Sequence, residues 1–165
     1  MNVLVYPDPF LRKPADVVDD LAEVDARVDE MLRTMYDNKG VGLAATQVGI
    51  GKRFFVMNVE QKPDTAVVLV NPKIVEGRGE LIAPEGCLSL PGLEVKVPRY
   101  DWVKIRGTAL DGKEVELAGD GLFARAVQHE MDHLTGTLII DKVSPAAKIA
   151  VKPRLKELEK QYRAK

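Results

Sequence analysis

The stretch Gln128-His129-Glu130-Met131-Asp132-His133-Leu134 constrains this chain more than any other, because His129 and His133 are its only two histidines. On a helix, residues four apart lie one above the other on the same face, so both imidazoles can reach one metal ion. Glu130 stands beside the first histidine, where a carboxylate can take a proton from an activated water. This HExxH spacing requires a helix whose histidine face points inward, and it predicts hydrolytic chemistry. Asp120 offers an N-cap for a helix from about Gly121 to Leu134, with Leu122, Ala126, His129 and His133 on one stripe and Gly136 as its stop.

The remaining pattern surrounds that helix with strands. Val24, Val28, Leu32 and Met35 recur at helical spacing until Asn38-Lys39-Gly40, which predicts an early helix with a glycine stop. The runs Phe54-Met57 and Val67-Val70, separated by Lys62-Pro63-Asp64, read as a strand pair. Leu93, Val95 and Val97 alternate with polar residues, as do Val103 and Ile105 ahead of the hairpin signal Asp111-Gly112 and the strand Val115-Leu117. Leu138-Ile139-Ile140 suggests another short strand, and Ser144-Pro145 opens a terminal helix in which Pro153 should produce a kink or a restart. Met31, Met35 and Met57 read as core filler. Strands in the middle and helices early and late indicate an α+β fold of antiparallel sheets in a single domain, residues 1–165.

Size and charge narrow the function. A chain of 165 residues can bury a core without disulfides or a structural metal, so a metal held by the two histidines serves chemistry. A net charge of -1, from 24 basic and 25 acidic side chains, leaves no domain-wide nucleic-acid footprint and argues against specific DNA binding. No apolar run approaches membrane-spanning length, and the start of the chain does not read as a signal peptide, so a soluble cytoplasmic protein is expected. The one cysteine, Cys87, excludes an internal disulfide and leaves four roles open: buried filler, metal ligand, nucleophile or redox switch.

A hydrolytic metal needs about three protein ligands and one open position. With no third histidine, the remaining ligand is Cys87, a carboxylate or nothing. Cys87 lies in Pro84-Glu85-Gly86-Cys87-Leu88-Ser89-Leu90-Pro91, where glycine and proline mark a sharply shaped loop or strand end. Metal charge would stabilise a thiolate there, whereas a nucleophilic thiolate needs a histidine free to activate it. A third segment, Gly40-Val41-Gly42-Leu43-Ala44-Ala45-Thr46-Gln47, allows close backbone approach and ends in an amide suited to a substrate carbonyl. It lacks the spacing of a phosphate-binding loop.

In order and spacing, these three segments resemble the signatures of the peptide deformylase family: a GxGxAAxQ run, an EGCLS segment and a QHExDHL helix. The resemblance implies antiparallel sheets around the metal helix and removal of the N-formyl group from the first methionine of new bacterial polypeptides. It implies Cys87, His129 and His133 as ligands of one divalent ion, with water as the fourth. Ferrous iron is the implied metal, with zinc, nickel or cobalt able to substitute. Glu130 becomes the general base and then the acid for the leaving amine, while Gln47 and the Leu88 N–H stabilise the oxyanion. Gly42 and Gly86 would offer backbone contacts to an extended peptide, Val41, Leu122 and Ala126 an apolar methionine pocket, and Arg99 a position near the peptide backbone. The short form with a terminal helix looks like the Gram-negative type.

Two further features invite competing readings. Arg125 lies one turn before His129; it reads either as a snorkelling arginine with its head in water or as a group narrowing the pocket mouth and favouring acidic or small second residues. From Pro145 to Lys165 seven basic and two acidic residues give +5, leaving -6 for the rest. That tail is either a solvated helix face or, as in similar enzymes, a docking helix for the ribosome. Competing functions are a HExxH endopeptidase, which would cut unformylated peptides internally, and a metal-stabilised peptide-binding module that has no use for Glu130.

Overall fold

Two antiparallel sheets and three helices form the protein in the computed structural model, which describes residues 1–165. Helix α1 (Leu21–Asp37) is capped by Asp20, whose carboxylate accepts the Ala22 N–H, and buries Val24, Val28, Met31 and Met35. Met31 takes the place in the core expected of Leu32, which is only partly buried. The helix ends one residue earlier than its glycine suggests: Lys39 adopts the left-handed conformation, φ 59°. Gly40 is needed for space instead, since a Cβ there would lie 3.0 Å from Leu88 Cδ1.

The larger sheet contains β1 (Gly42–Ala44), β2 (Phe54–Met57), β3 (Val67–Arg78), β6 (Trp102–Thr108) and β7 (Glu114–Asp120), in the order β1-β2-β3-β6-β7. The expected strand pair is β2 with β3, in a register that sets Phe54 opposite Val70 and Met57 opposite Val67. The Asp111-Gly112 hairpin joins β6 to β7, with Ile105 opposite Leu117. The smaller sheet is β4 (Leu81–Gly86) against β5 (Glu94–Arg99), paired from Leu81 opposite Arg99 to Gly86 opposite Glu94. Period-two alternation in β5 buries Val95, Val97 and Arg99 on one face. Residues 87–93 cross between these two strands, so Cys87 stands at the end of β4.

Helix α2 (Gly121–Leu134) carries the histidines. Asp120 occupies the N-cap position as expected, but its side chain makes no capping bond. Ala124, Ala126, Val127 and Leu134 pack with Phe55, Met57, Leu69, Val103 and Ile105 of the larger sheet. Gln128 ties the helix to the turn after β5: its amide donates to Tyr100 O at 3.0 Å and accepts the Tyr100 N–H at 2.9 Å. Gly136, at φ 76°, ends the helix where the Arg12 backbone passes too close for any side chain.

Two local expectations are corrected beyond this point. Residues Ile139–Asp141 form a 3-10 turn and not a strand, because Asp141 accepts the Leu138 N–H and Lys142 bonds to Ile139 O, satisfying the backbone locally. Leu138, Ile139 and Ile140 are all buried, against Leu11, Val95, Val97 and the terminal helix α3 (Pro145–Arg163). Helix α3 runs unbroken through Pro153, with Val151 and Leu158 docked in the same cluster. This packing on both sides of the proline holds the helix in one piece, so the restart allowed by the sequence does not occur. No helix is long and apolar enough to cross a membrane.

Candidate metal centre

Two elements deliver three donor atoms to one point. The end of β4 presents Cys87, and α2 presents His129 and His133 one turn apart. His133 Nε2 lies 3.3 Å from His129 Nε2 and 3.3 Å from Cys87 Sγ, and the ligand atoms all fall within 4.8 Å of one another. Nitrogens bound tetrahedrally at about 2.0–2.1 Å from zinc stand roughly 3.3 Å apart, and a sulfur at about 2.3 Å stands slightly farther from each. The donor set therefore fits a single ion of that size, with the thiol standing where a third ligand would be needed.

The outer nitrogen of His129 shows how the site is oriented. Nδ1 donates to Glu85 Oε1 at 2.9 Å, which leaves the Nε2 lone pair facing Cys87. Glu85 also accepts from Arg99 Nε and Nη2, both at 2.9 Å, and from Arg125 Nη1 at 2.5 Å. Burial alone would raise the Glu85 pKa, but the bonds and charges of Arg99 and His129 carry it down to about 2. This carboxylate was missed in the sequence. Its signal was the two-residue spacing from Cys87, which on a strand end places both side chains on one face.

Glu130 is buried, and burial pushes its pKa up to about 7 against the opposing pull of His129. Its Oε1 has no hydrogen-bond partner within the chain. Gly42 makes room for it: a Cβ on Gly42 would lie 2.5 Å from Glu130 Oε2. Gln47 is also buried and firmly oriented. Its Oε1 accepts the Ala44 N–H at 3.0 Å, and its Nε2 donates to Ser89 Oγ at 3.1 Å and reaches Cys87 Sγ at 3.8 Å. Ser89, fully buried, is a second residue that the sequence reading passed over. Thr46 Oγ1 donates to His133 O at 3.2 Å and so fastens the glycine-rich segment to α2.

These groups open into a cavity of about 470 Å³. Its lining includes Val41, Gly42, Gln47, Gly86, Cys87 and Leu88 from the first two segments, and Leu122, Arg125, Ala126, His129 and Glu130 from α2. Leu122 is 53% exposed, so it sits at the cavity rim and not in a closed wall.

Both arginine expectations change. Arg99 does not line the cavity; it is buried between Glu85 and Asp132, with Nη1 2.5 Å from Asp132 Oδ2, because the alternation of β5 turns it inward. Arg125 does not snorkel. Its side chain is 11% exposed, and its guanidinium is held by Glu85 and by the Val97 and Leu81 carbonyls.

Known proteins resemble this chain over nearly its whole length. The family model described as polypeptide deformylase matches residues 1–148. A peptide deformylase of Chromobacterium violaceum is 44% identical over 164 residues, covering 98% of this chain and 97% of that protein. The crystal structure of peptide deformylase from Plasmodium falciparum superposes with a TM-score of 0.94 at 39% identity, over 99% of this chain and 98% of that one. Peptide deformylase 1B of Arabidopsis thaliana, solved with an inhibitor, gives 0.95 at 36% identity, over 99% and 93% of the two chains. By sequence and by fold alike, the chain belongs to the polypeptide deformylase family.

Proposed function

We propose that this protein hydrolyses the N-formyl group from the first methionine of newly made polypeptides and releases formate. The observation that carries the reading is a buried carboxylate, Glu130, with a free oxygen in the same cavity as a Cys-His-His donor set, in a chain of this family. Cys87, His129 and His133 would hold one divalent ion, ferrous iron by preference, with zinc, nickel or cobalt able to replace it. When bound, the ion supplies Lewis-acid activation of water and of the formyl carbonyl.

The protein supplies the remaining chemistry. Glu130 takes the proton lost by the attacking water and returns it to the amine as the formyl C–N bond breaks. Its burial favours the protonated form and so helps it hold the proton between the two transfers. Charge that grows on the formyl oxygen meets the Gln47 amide, which Ala44 and Ser89 hold in place, and the Leu88 N–H. One such donor lowers a barrier by about 3 to 4 kcal/mol. The cavity face of Val41, Leu122 and Ala126 receives the methionine side chain, and the backbone at Gly42 and Gly86 receives an extended peptide. Recognition through backbone suits an enzyme that must accept many nascent chains, and the cytoplasm, where such chains are made, is its proposed place of work.

Formate release from formyl-Met-Ala-Ser tests this reading. Glu130→Gln should keep its metal and lose about 10²- to 10⁴-fold in turnover. Equal turnover would remove the base role, and internal cleavage of unformylated peptides in its place would favour the endopeptidase.

The docking of α3 on the ribosome is proposed on its charge. Lys148, Lys152, Lys156 and Lys160 recur every four residues and are all exposed, forming one basic stripe on a helix otherwise anchored by Val151 and Leu158. Deleting the helix would strip the core, so charge is the cleaner variable. Changing the four lysines to glutamate should abolish co-sedimentation with ribosomes and leave formyl-Met-Ala-Ser turnover unchanged. Undiminished co-sedimentation would end the docking proposal.

A further inference from the structure

Cys87 and the two histidines reach the metal point from separate structures, a two-stranded sheet and a helix, so the site exists only while these keep one spacing. Arg125 spans that gap. From α2, one turn before His129, its Nη1 donates to Glu85 Oε2 at 2.5 Å and to Val97 O at 3.0 Å, and its Nη2 donates to Leu81 O at 2.7 Å. The three acceptors lie on both strands of the smaller sheet, Leu81 and Glu85 on β4 and Val97 on β5. A planar guanidinium with fixed donor directions can satisfy three such acceptors in only one placement.

The same contacts act on the ligand itself. With Arg125 and the Arg99 Nε on Oε2 of Glu85, the carboxylate is held so that Oε1 meets His129 Nδ1. That bond sets which ring nitrogen of His129 faces the thiol. The charge of Arg125 is matched by Glu85 and its side chain is 11% exposed, so it offers no free cation to an acidic substrate residue. Its contribution to the cavity is its place in the wall.

We propose that Arg125 is a positioning residue for the metal centre, which locks the strand pair bearing Cys87 against the helix bearing His129 and His133 and fixes the orientation of His129 through Glu85. The proposal rests on Cys87, His129 and His133 holding a metal. Arg125→Met keeps an unbranched apolar stem in the cavity wall and removes all three bonds. Arg12→Met serves as control, because it removes an arginine ion pair, with Asp141, that touches none of the ligands.

The test measures the zinc dissociation constant, by competition with a chromophoric chelator, together with the melting temperature of the metal-free protein. Arg125→Met should weaken zinc binding about 10- to 100-fold, while Arg12→Met binds zinc as the wild type does. An unchanged zinc affinity in Arg125→Met, with or without a lower melting temperature, overturns the proposal and leaves Arg125 a merely structural tie. Should Arg125→Met fail to fold, Arg125→Lys takes its place: it keeps the charge but cannot reach all three acceptors, and wild-type zinc affinity in it likewise overturns the proposal. A wild-type chain that takes up no zinc would remove the metal reading itself and this proposal with it, so the two failures are separable.

Discussion

At position 42 a single methyl group would stand 2.5 Å from Glu130 Oε2, 2.9 Å from its Cδ and 3.0 Å from its Cγ, against a side chain and not against backbone. Gly42→Ala should therefore displace the carboxylate without unfolding the protein. The expected outcome is a fall in kcat of at least tenfold, with zinc affinity and melting temperature close to wild type. An unchanged kcat would mean that the placement of Glu130 tolerates the shift. The residue types of the site were legible in the sequence: two histidines, one cysteine and one carboxylate at hydrolase spacing. Glu85 and Ser89 were not, because their importance lies in what they hold, His129 Nδ1 and the Gln47 amide, and such contacts join residues about 40 positions apart.

Two junctions between elements show how segments far apart in sequence fix the frame of the site. The end of α2 meets the N-terminal segment at Gly136, which combines φ 76° with a contact to Arg12 O that excludes a Cβ. Gly136→Ala should destabilise the fold by about 1–3 kcal/mol or more, from strain at a left-handed position together with the clash, and a melting temperature within a degree of wild type would contradict that. Helix α3 meets the same N-terminal segment through Tyr6, whose hydroxyl donates to Glu159 Oε1 at 2.8 Å while its N–H donates to Ser89 O at 2.9 Å. Burial, then the bond to Glu159, raises the Tyr6 pKa above its ordinary value of 10.0. A group whose pKa is raised on folding contributes stability that is intact below the unfolded value and lost as pH rises through the folded one. The stability difference between wild type and Tyr6→Phe should thus stay constant up to about pH 9.5 and shrink above pH 10; a difference that does not change with pH would exclude this contribution. At this scale the sequence was a good guide to α1, α2 and the hairpin of β6 and β7, whose periodicity and caps are local. It read Ile139–Asp141 as part of a strand, where local backbone bonds form a 3-10 turn, and allowed a restart at Pro153, where the docking of Val151 and Leu158 keeps one continuous helix.

For the whole molecule, three buried apolar clusters surround the site, one between the smaller sheet and α3, one under α1, and one between α2 and the larger sheet. Of the metal ligands only Cys87 packs against any of them, at the margin of the first, so chelation should lower the melting temperature yet leave the far-ultraviolet dichroism and a cooperative melt. Restoring metal to a thousandfold excess over its dissociation constant should recover about 4 kcal/mol. Loss of secondary structure on chelation alone would show that the fold requires the ion. The α+β class, the helix that carries His129, Glu130 and His133, and the family resemblance through its three segments were legible in the sequence, because helical and strand periods and motif spacing are written along the chain. That Arg99 and Arg125 converge on Glu85, that Gln47 is braced by Ser89, and that Gly42 yields its space to Glu130 came from the packing of distant segments. A buried charge must find its partner wherever the fold brings one within reach, and that distance is set by packing, which no local pattern records.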